Sequence, residues 1–451
     1  MPQMNRQMLL PLEGRGEAPR VERSVEALPA PTETESSGLR GVMTAAVSRP
    51  NMFAALKRVR KNKGSPGVDG MTVDELPDWL REHWPRIREQ LLSGAYVPQA
   101  VKRVLIPKAG GGERMLGIPT VLDRLIQQAL LQILQPAIDP TFSTHSYGFR
   151  PGRRAHDAVC HAQKYVQAGR KWVVDVDLAR FFDRVNHDVL MGRLAKRVAD
   201  KRALQLIRRY LSAGILADGV VVERHQGTPQ GGPLSPLLAN VLLDEVDQAL
   251  EARGHAFVRY ADDCNVYVRS KRAGERVMGG LRRLFGRLRL EINESKSAVA
   301  RVWKRQFLGF SFWTARGRVV KPRVSDKAMH RFKSQIRGMT RRICGQSLEV
   351  VVAQLRRYML GWRGYFRLAA TPRRFQELDK WIRHRLRAIQ LKQWKRGRTA
   401  YKALRALGMK ETIASLIAFY CRNWWRTSAR DLHRALPNRM FDEMGLPRLA
   451  G

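Results

Sequence analysis

Two acidic motifs, each at the end of a predicted strand, constrain this chain more than any other feature: "VVDVDLARFFD" and "FVRYADDCNVYVRS". In the first, valines alternate with Asp175 and Asp177, and a period of two puts both acids on one strand face. Asp177 is the last strand residue before the chain turns. In the second, Phe257, Val258 and Tyr260 lead in, and Val266, Tyr267 and Val268 lead out, all with strand character. Asp262 and Asp263 are expected at the hairpin between them, without the glycine that a plain two-residue turn prefers. Adjacent carboxylates repel, so either solvent screens them or a cation sits between them. Alone, "ADD" reads as a solvated turn and "DVD" as a charged strand end. Together, Asp177 with Asp262 and Asp263 makes three acids from two strands, the arrangement that two magnesium ions need for phosphoryl transfer.

The charge balance says what such a site would act on. Lys and Arg number 82 against 40 acids, a formal net charge of +42 spread along most of the chain. That points to a polyanionic partner, and nucleic acid fits better than a membrane surface. No apolar stretch approaches the roughly 18 residues of a membrane span. The start, "MNRQMLLPLEGRG", has too short an apolar run for a secretory signal, and "EALPAPTETESSG" reads as a disordered leader over 1–41. Cys160, Cys264, Cys344 and Cys421 are far apart and form no C-x-x-C pair, which argues against a zinc site and for a reducing, cytosolic setting.

With 451 residues and 44% hydrophobic content, the chain can build two or three cores. A helix is predicted from Met43 to Arg60, and a second carries Leu76, Trp79, Leu80, Trp84, Ile87 and Leu91 at helical spacing. "AVKRVLIPKAGGGERMLGIPT" reads as two strands around a glycine-rich turn, and "VLDRLIQQALLQILQPAI" as a helix. After "GGLRRLFGRLRL", a basic helix, "RQFLGFSFWTARGRVV" gives one more strand and hairpin. From about Arg323 strand signals give way to basic helices carrying aromatics. The expected division is a mixed domain over 42–320 and helical regions over 321–398 and 399–451.

These residues, with "GSPGVDG", "RVLIPKAGGGERMLGIPTVLDRLIQQAL" and "SYGFRPGRRAHDAV" before Asp177, resemble a known family. "QGTPQGGPLSPLLANVLLDEVD" between the acids, then "LEINESKS" and "FLGFSF", complete seven ordered motifs. The chain resembles the reverse transcriptases encoded by bacterial group II introns, from about residue 51 onward. The resemblance implies an α+β right-hand polymerase fold of fingers and palm, followed by an all-α thumb or maturase region. It implies RNA-directed DNA polymerisation on an RNA template with a DNA primer or target DNA, using dNTPs and two Mg²⁺ ions, with Mn²⁺ as a substitute. It also implies binding of a group II intron RNA and aid to its splicing. The expected location is the bacterial cytoplasm, on the nucleoid when DNA-bound, as a monomer or homodimer without a membrane. Many such proteins end in an HNH endonuclease with paired cysteines; no such motif stands here, so an endonuclease-lacking type is expected. A domesticated or defence-associated reverse transcriptase, or a splicing-only RNA-binding cofactor, stays open as an alternative.

Carried over by residue, the resemblance makes Asp177, Asp262 and Asp263 the catalytic acids, with Asp263 in the supporting place. The Leu178 carbonyl would complete the metal site. Phe182 matches the gate against a ribose 2′-hydroxyl, with one of Phe181 and Phe182 expected in the core. Lys108 and Arg114 match residues that hold the incoming triphosphate, Gln230 and Gly231 the segment beneath the nucleotide, and Lys296 a palm lysine near it. In "QLRRYMLGWRGYFRLA", Leu355, Met359, Trp362 and Phe366 form a stripe that reads as core. That leaves Arg356, Arg357, Arg363 and Arg367 for RNA phosphates. Arg383 and Arg387 in "DKWIRHRLRAIQLKQWKRGR" are expected to join them.

Overall fold

The computed structural model describes residues 38–107, 113–217, 220–222, 226–228, 231–343 and 345–450. Two compact units result, one ending at Arg305 and one beginning at Gln306. The ten strands, in chain order, are β1 (Val101–Pro107), β2 (Glu113–Ile118), β3 (Trp172–Val176), β4 (Ile215–Ala217), β5 (Val220–Val222), β6 (Ala256–Tyr260), β7 (Asp263–Val268), β8 (Ala298–Arg301), β9 (Phe310–Thr314) and β10 (Val320–Val324).

The first unit holds two four-stranded sheets, ordered β2-β1-β4-β5 and β6-β7-β3-β8. The second of these is antiparallel throughout, with Val174 level with Val266 and Val299. One face of it is valine-rich, and helix Lys271–Arg287 lies close over it. A Cβ on Gly274 of that helix would come within 2.5 Å of Val299, so glycine here is what lets helix and sheet meet. Helix Ser235–Glu251 is buried along most of its length, as its apolar run dictates.

In the other half of this unit, Thr120 caps helix Val121–Ile138 by accepting the Asp123 amide at 3.1 Å. Asp123 is itself buried and also takes the Tyr96 hydroxyl at 2.8 Å and the Gln99 amide at 3.2 Å. Leu76, Ile87 and Leu91 bury the predicted face of helix Leu76–Ser93, with Trp79, Leu80 and Trp84 packed beside them.

Three expectations need adjustment. The helix predicted from Met43 to Arg60 is two, Val42–Ala46 and Arg49–Lys61, because Pro50 lacks an amide hydrogen and starts a helix rather than continuing one. Of the predicted leader, residues 1–37 lie outside the described residues, while Leu39 is ordered and bridges Val198. The glycine-rich turn between β1 and β2 also lies outside, though the strands around it pair antiparallel as expected, Pro107 level with Glu113.

The second unit opens with the β9–β10 hairpin and continues as helices. Leu355, Met359 and Phe366 are buried, and Trp362 packs on Phe332 with ring centres 4.3 Å apart, so the predicted stripe is core. Among the described residues no helix is long and apolar enough to cross a membrane.

Candidate active site

The β6–β7 hairpin closes on the pair Tyr260 and Asp263, so its two-residue turn is Ala261–Asp262. This shifts the expectation by one position: Asp263 is the first residue of β7, not a turn residue. Ala261 takes the left-handed conformation, φ 57°, that a hairpin turn asks of its first residue. A side chain there costs roughly 1–2 kcal/mol relative to glycine, and such strain persists only when the surroundings enforce it.

Asp177 follows directly on β3. Continuing the register that sets Val176 opposite Cys264 puts Asp177 level with Asp263. Its backbone is held by "LEINESKS": the Asp177 amide donates to Ser297 Oγ at 3.0 Å, and the Asn293 amide donates to the Asp177 carbonyl at 2.8 Å. Leu178, buried, forms a bridge with Ile292, and the Ala179 amide donates to the Glu291 carbonyl. A motif read from sequence as a separate block is thus the clamp on the first acid.

The electrostatics show that carboxylates converge here. Burial pushes the Asp263 carboxyl well above its usual range, and the charges of Asp175, Asp262 and Asp177 push it further, against Arg305. Asp175 is raised by burial too, but Arg305 donates to it from Nε at 2.7 Å and opposes the shift. Asp175 is therefore spoken for by a guanidinium. Asp177 Oδ2 is enclosed without a hydrogen bond, and its nearest charge is the Lys296 ammonium at 3.1 Å. Arg305 and Lys296 thus each engage one of these acids. Among the described residues no three His, Cys, Asp or Glu groups stand ready as a metal cage. Magnesium does not require one, since it keeps waters and substrate phosphates and takes only one or two carboxylates. The hard carboxylate oxygens of Asp177, Asp262 and Asp263, gathered at one strand end, suit such an ion.

The remaining expected residues divide. Phe181 is buried and Phe182 half-buried, their rings edge-to-face at 5.0 Å, so Phe181 is the core member of the pair. Gly231 has φ 146°, and a Cβ there would meet the Gly117 carbonyl oxygen at 2.5 Å, a close backbone approach that demands glycine. Arg114 lies on β2, level with Ile106. Lys108 and Gln230 lie outside the described residues.

In the second unit Arg356, Arg357 and Arg367 are exposed, and Arg363 is half-buried. Arg383 and Arg387 require correction: both are buried and serve the protein interior. Arg383 pairs with Asp442, and Arg387 donates to the Leu436 carbonyl and to Asn438, both at 2.8 Å. They pin the C-terminal segment to helix Pro372–Gln393, and a buried guanidinium so engaged is not offered to RNA. Sequence reasoning missed Arg305 as the partner of Asp175, since one arginine among 82 basic residues carries no local signal.

Residues 106–312 match the family described as reverse transcriptase (RNA-dependent DNA polymerase), and 329–408 match the group II intron, maturase-specific domain. Protein YkfC of Escherichia coli (strain K12) is 37% identical over 214 residues, 46% of this chain and 56% of that protein. The group II intron-encoded protein LtrA of Lactococcus lactis subsp. cremoris is 37% identical over 202 residues, 44% of this chain and 33% of LtrA. The matched region thus spans about half of one relative and a third of the other. Among solved structures, the partial Cas6-RT-Cas1--Cas2 complex aligns over 54% of this chain and 42% of its own, at 22% identity and TM-score 0.36, too low to argue from.

Proposed function

We propose that this chain, which carries a reverse transcriptase domain followed by a group II intron maturase-specific domain, is an RNA-directed DNA polymerase that also binds, helps to splice and copies a group II intron RNA. The observation that carries the polymerase reading is the convergence of Asp177, Asp262 and Asp263 where β3 and the β6–β7 turn meet. Asp177 and Asp262 would hold the divalent ions, with the Leu178 carbonyl beside them. Those ions, when bound, would stabilise the attacking and leaving oxygens of nucleotidyl transfer. Asp263, the first residue of β7, has its carboxyl pushed above the usual range by burial and by the neighbouring acids, which suits a supporting place rather than a direct one.

Around that centre the chain's own groups have separable work. Lys296 balances Asp177 before substrate arrives and is placed to turn toward a phosphate. Phe182, half-exposed beside a buried Phe181, presents a rigid flat surface suited to excluding a 2′-hydroxyl. The tight backing of Gly231 on Gly117 suits a floor for nucleotide and template. Lys108, Arg114 and Gln230 are proposed to contact the incoming triphosphate and the template. In the maturase-specific domain, Arg356, Arg357, Arg363 and Arg367 would contact phosphates of structured RNA, which is recognised by backbone and shape.

The test is extension of a DNA primer on an RNA template with magnesium. Asp262→Ala should abolish it and leave RNA binding intact. Retained extension would remove the turn from the active site. A splicing-only cofactor would show no extension even as the natural chain.

A further inference from the structure

Behind the catalytic turn lies a buried polar network that the chemistry itself does not use. Arg259 sits two residues before Ala261 and is 1% exposed, among the largest fully buried side chains. Its Nε and Nη2 grip Asp247, at 2.8 Å to Oδ1 and 2.6 Å to Oδ2. Its Nη1 donates twice, to Asn240 Oδ1 and to the Ala261 carbonyl, both at 2.9 Å. Asn240 in turn donates from Nδ2 to the Gly148 carbonyl at 2.9 Å. Asn240 and Asp247 stand two turns apart on one face of the buried helix Ser235–Glu251, so the anchor is rigid.

The pairing with Asp247 alone would neutralise the guanidinium. The second arm is what bears on the turn. A left-handed alanine at 261 needs enforcement, and two contacts supply it: the Arg259 fork on its carbonyl, and Gly148 against its amide. The segment His145–Tyr147 braces the other side, with the Arg259 amide donating to the His145 carbonyl and the Tyr147 amide to the Arg259 carbonyl.

We infer that Arg259 is a positioning residue: through Nη1 it latches the Ala261 carbonyl and fixes the turn that carries Asp262, so divalent-ion affinity depends on a guanidinium buried behind the site. A lysine would keep the charge for Asp247 but has no planar fork to serve Ala261 and Asn240 together. This inference rests on the reading of Asp262 as an ion-holding residue.

The experiment is Mn²⁺ titration of the full chain with primer–template and no nucleotide, read by the electron paramagnetic resonance of free Mn²⁺, beside RNA affinity and Tm. Arg259→Lys should weaken Mn²⁺ binding about tenfold, as loss of an outer partner of a metal site does. kcat should fall with it, while RNA affinity and the KM for nucleotide stay within about twofold. Asn240→Ala leaves the Arg259–Asp247 pair intact and should weaken Mn²⁺ binding in the same direction, which keeps the test alive if the lysine variant does not fold. Natural Mn²⁺ affinity in Asn240→Ala and in any folded Arg259→Lys would overturn the inference, even with a lowered Tm. Asp262→Ala separates the two claims: if it binds Mn²⁺ and extends primers as the natural chain does, the reading of the site fails, not the latch.

Discussion

Replacing Gly148 with alanine drives a methyl group into the catalytic turn from behind. A Cβ at 148 would lie 2.2 Å from the Ala261 amide nitrogen and 2.8 Å from the Tyr260 carbonyl carbon, both backbone atoms with no rotamer to escape into. Ordinary contact begins at 3.4 Å, so one side must retreat by about 1 Å in a close-packed interior. The Gly148 side is the stiffer. Its carbonyl accepts from buried Asn240, and buried Arg150 ties the preceding loop through Asp139 and the Ser143 and Ser146 carbonyls. The turn therefore gives way and takes Asp262 with it. A shift of about 1 Å at a reacting constellation costs on the order of a hundredfold, or about 2.7 kcal/mol of barrier. Overpacking should cost a further 1–3 kcal/mol or so of stability. Single-turnover extension of a DNA primer on RNA measures the first, and urea unfolding the second. Gly148→Ala with natural single-turnover rates would refute the reasoning, because it would mean that the turn tolerates displacement and its geometry is not what the site depends on.

Other outcomes follow from individual contacts. Phe182→Ala should raise ribonucleotide incorporation at least about tenfold in competition assays, while Phe181→Ala should mainly lower Tm. Arg383→Ala leaves Asp442 its Arg448 partner and Asp379 the Leu449 and Ala450 amides, so it should cost only about 1.5–3 kcal/mol in thermal unfolding of the second unit, the range of a lost charged hydrogen bond. Arg357→Ala, on an exposed arginine, should leave Tm unchanged and lower the salt slope of RNA binding by about one. Burial raises the Asp200 carboxyl, but the amides of Met43 and Ala203, with the Arg202 guanidinium and amide, outweigh it and hold the group below its usual range. A depressed value stabilises the fold above the unfolded pKa, and that stability is lost as pH falls through the folded one. Asp200→Asn should therefore flatten the decline in urea stability that the natural chain shows from about pH 5 downward.

What could be read in advance, and what could not, follows from where the information lies. β3 is legible because its valines alternate with acids, and β6 and β7 because β-branched and aromatic residues cluster in short runs on either side of the acidic pair. The turn was misplaced by one residue because the usual signal for positive φ is glycine, and here alanine adopts it under forces from Gly148 and Arg259. Arg383 and Arg387 share the texture of a phosphate-binding face. Their partners Asp442 and Leu436 arrive from 59 and 49 residues away, and nothing local announces them. The stripe Leu378, Ile382, Leu386 and Ile389, which flanks both arginines, was the available sign of burial.

Asp200 has a consequence in time as well as in stability. Its carboxylate takes the Met43 amide at 2.9 Å across 157 positions, and Leu39 pairs with the strand-like segment at Arg197–Ala199. Helix Val42–Ala46 has five residues, too few to persist alone in water. During synthesis at about 5–20 residues per second the Met43 amide must wait roughly 8–30 s for the Asp200 carboxylate to emerge. Helix Val121–Ile138, on which Val42–Ala46 chiefly packs, emerges earlier, so in the later part of that interval it is the Leu39 edge and the Met43 amide that stay open. A translational pause between residues 138 and 200 should leave this N-terminal edge accessible to chaperones and proteases.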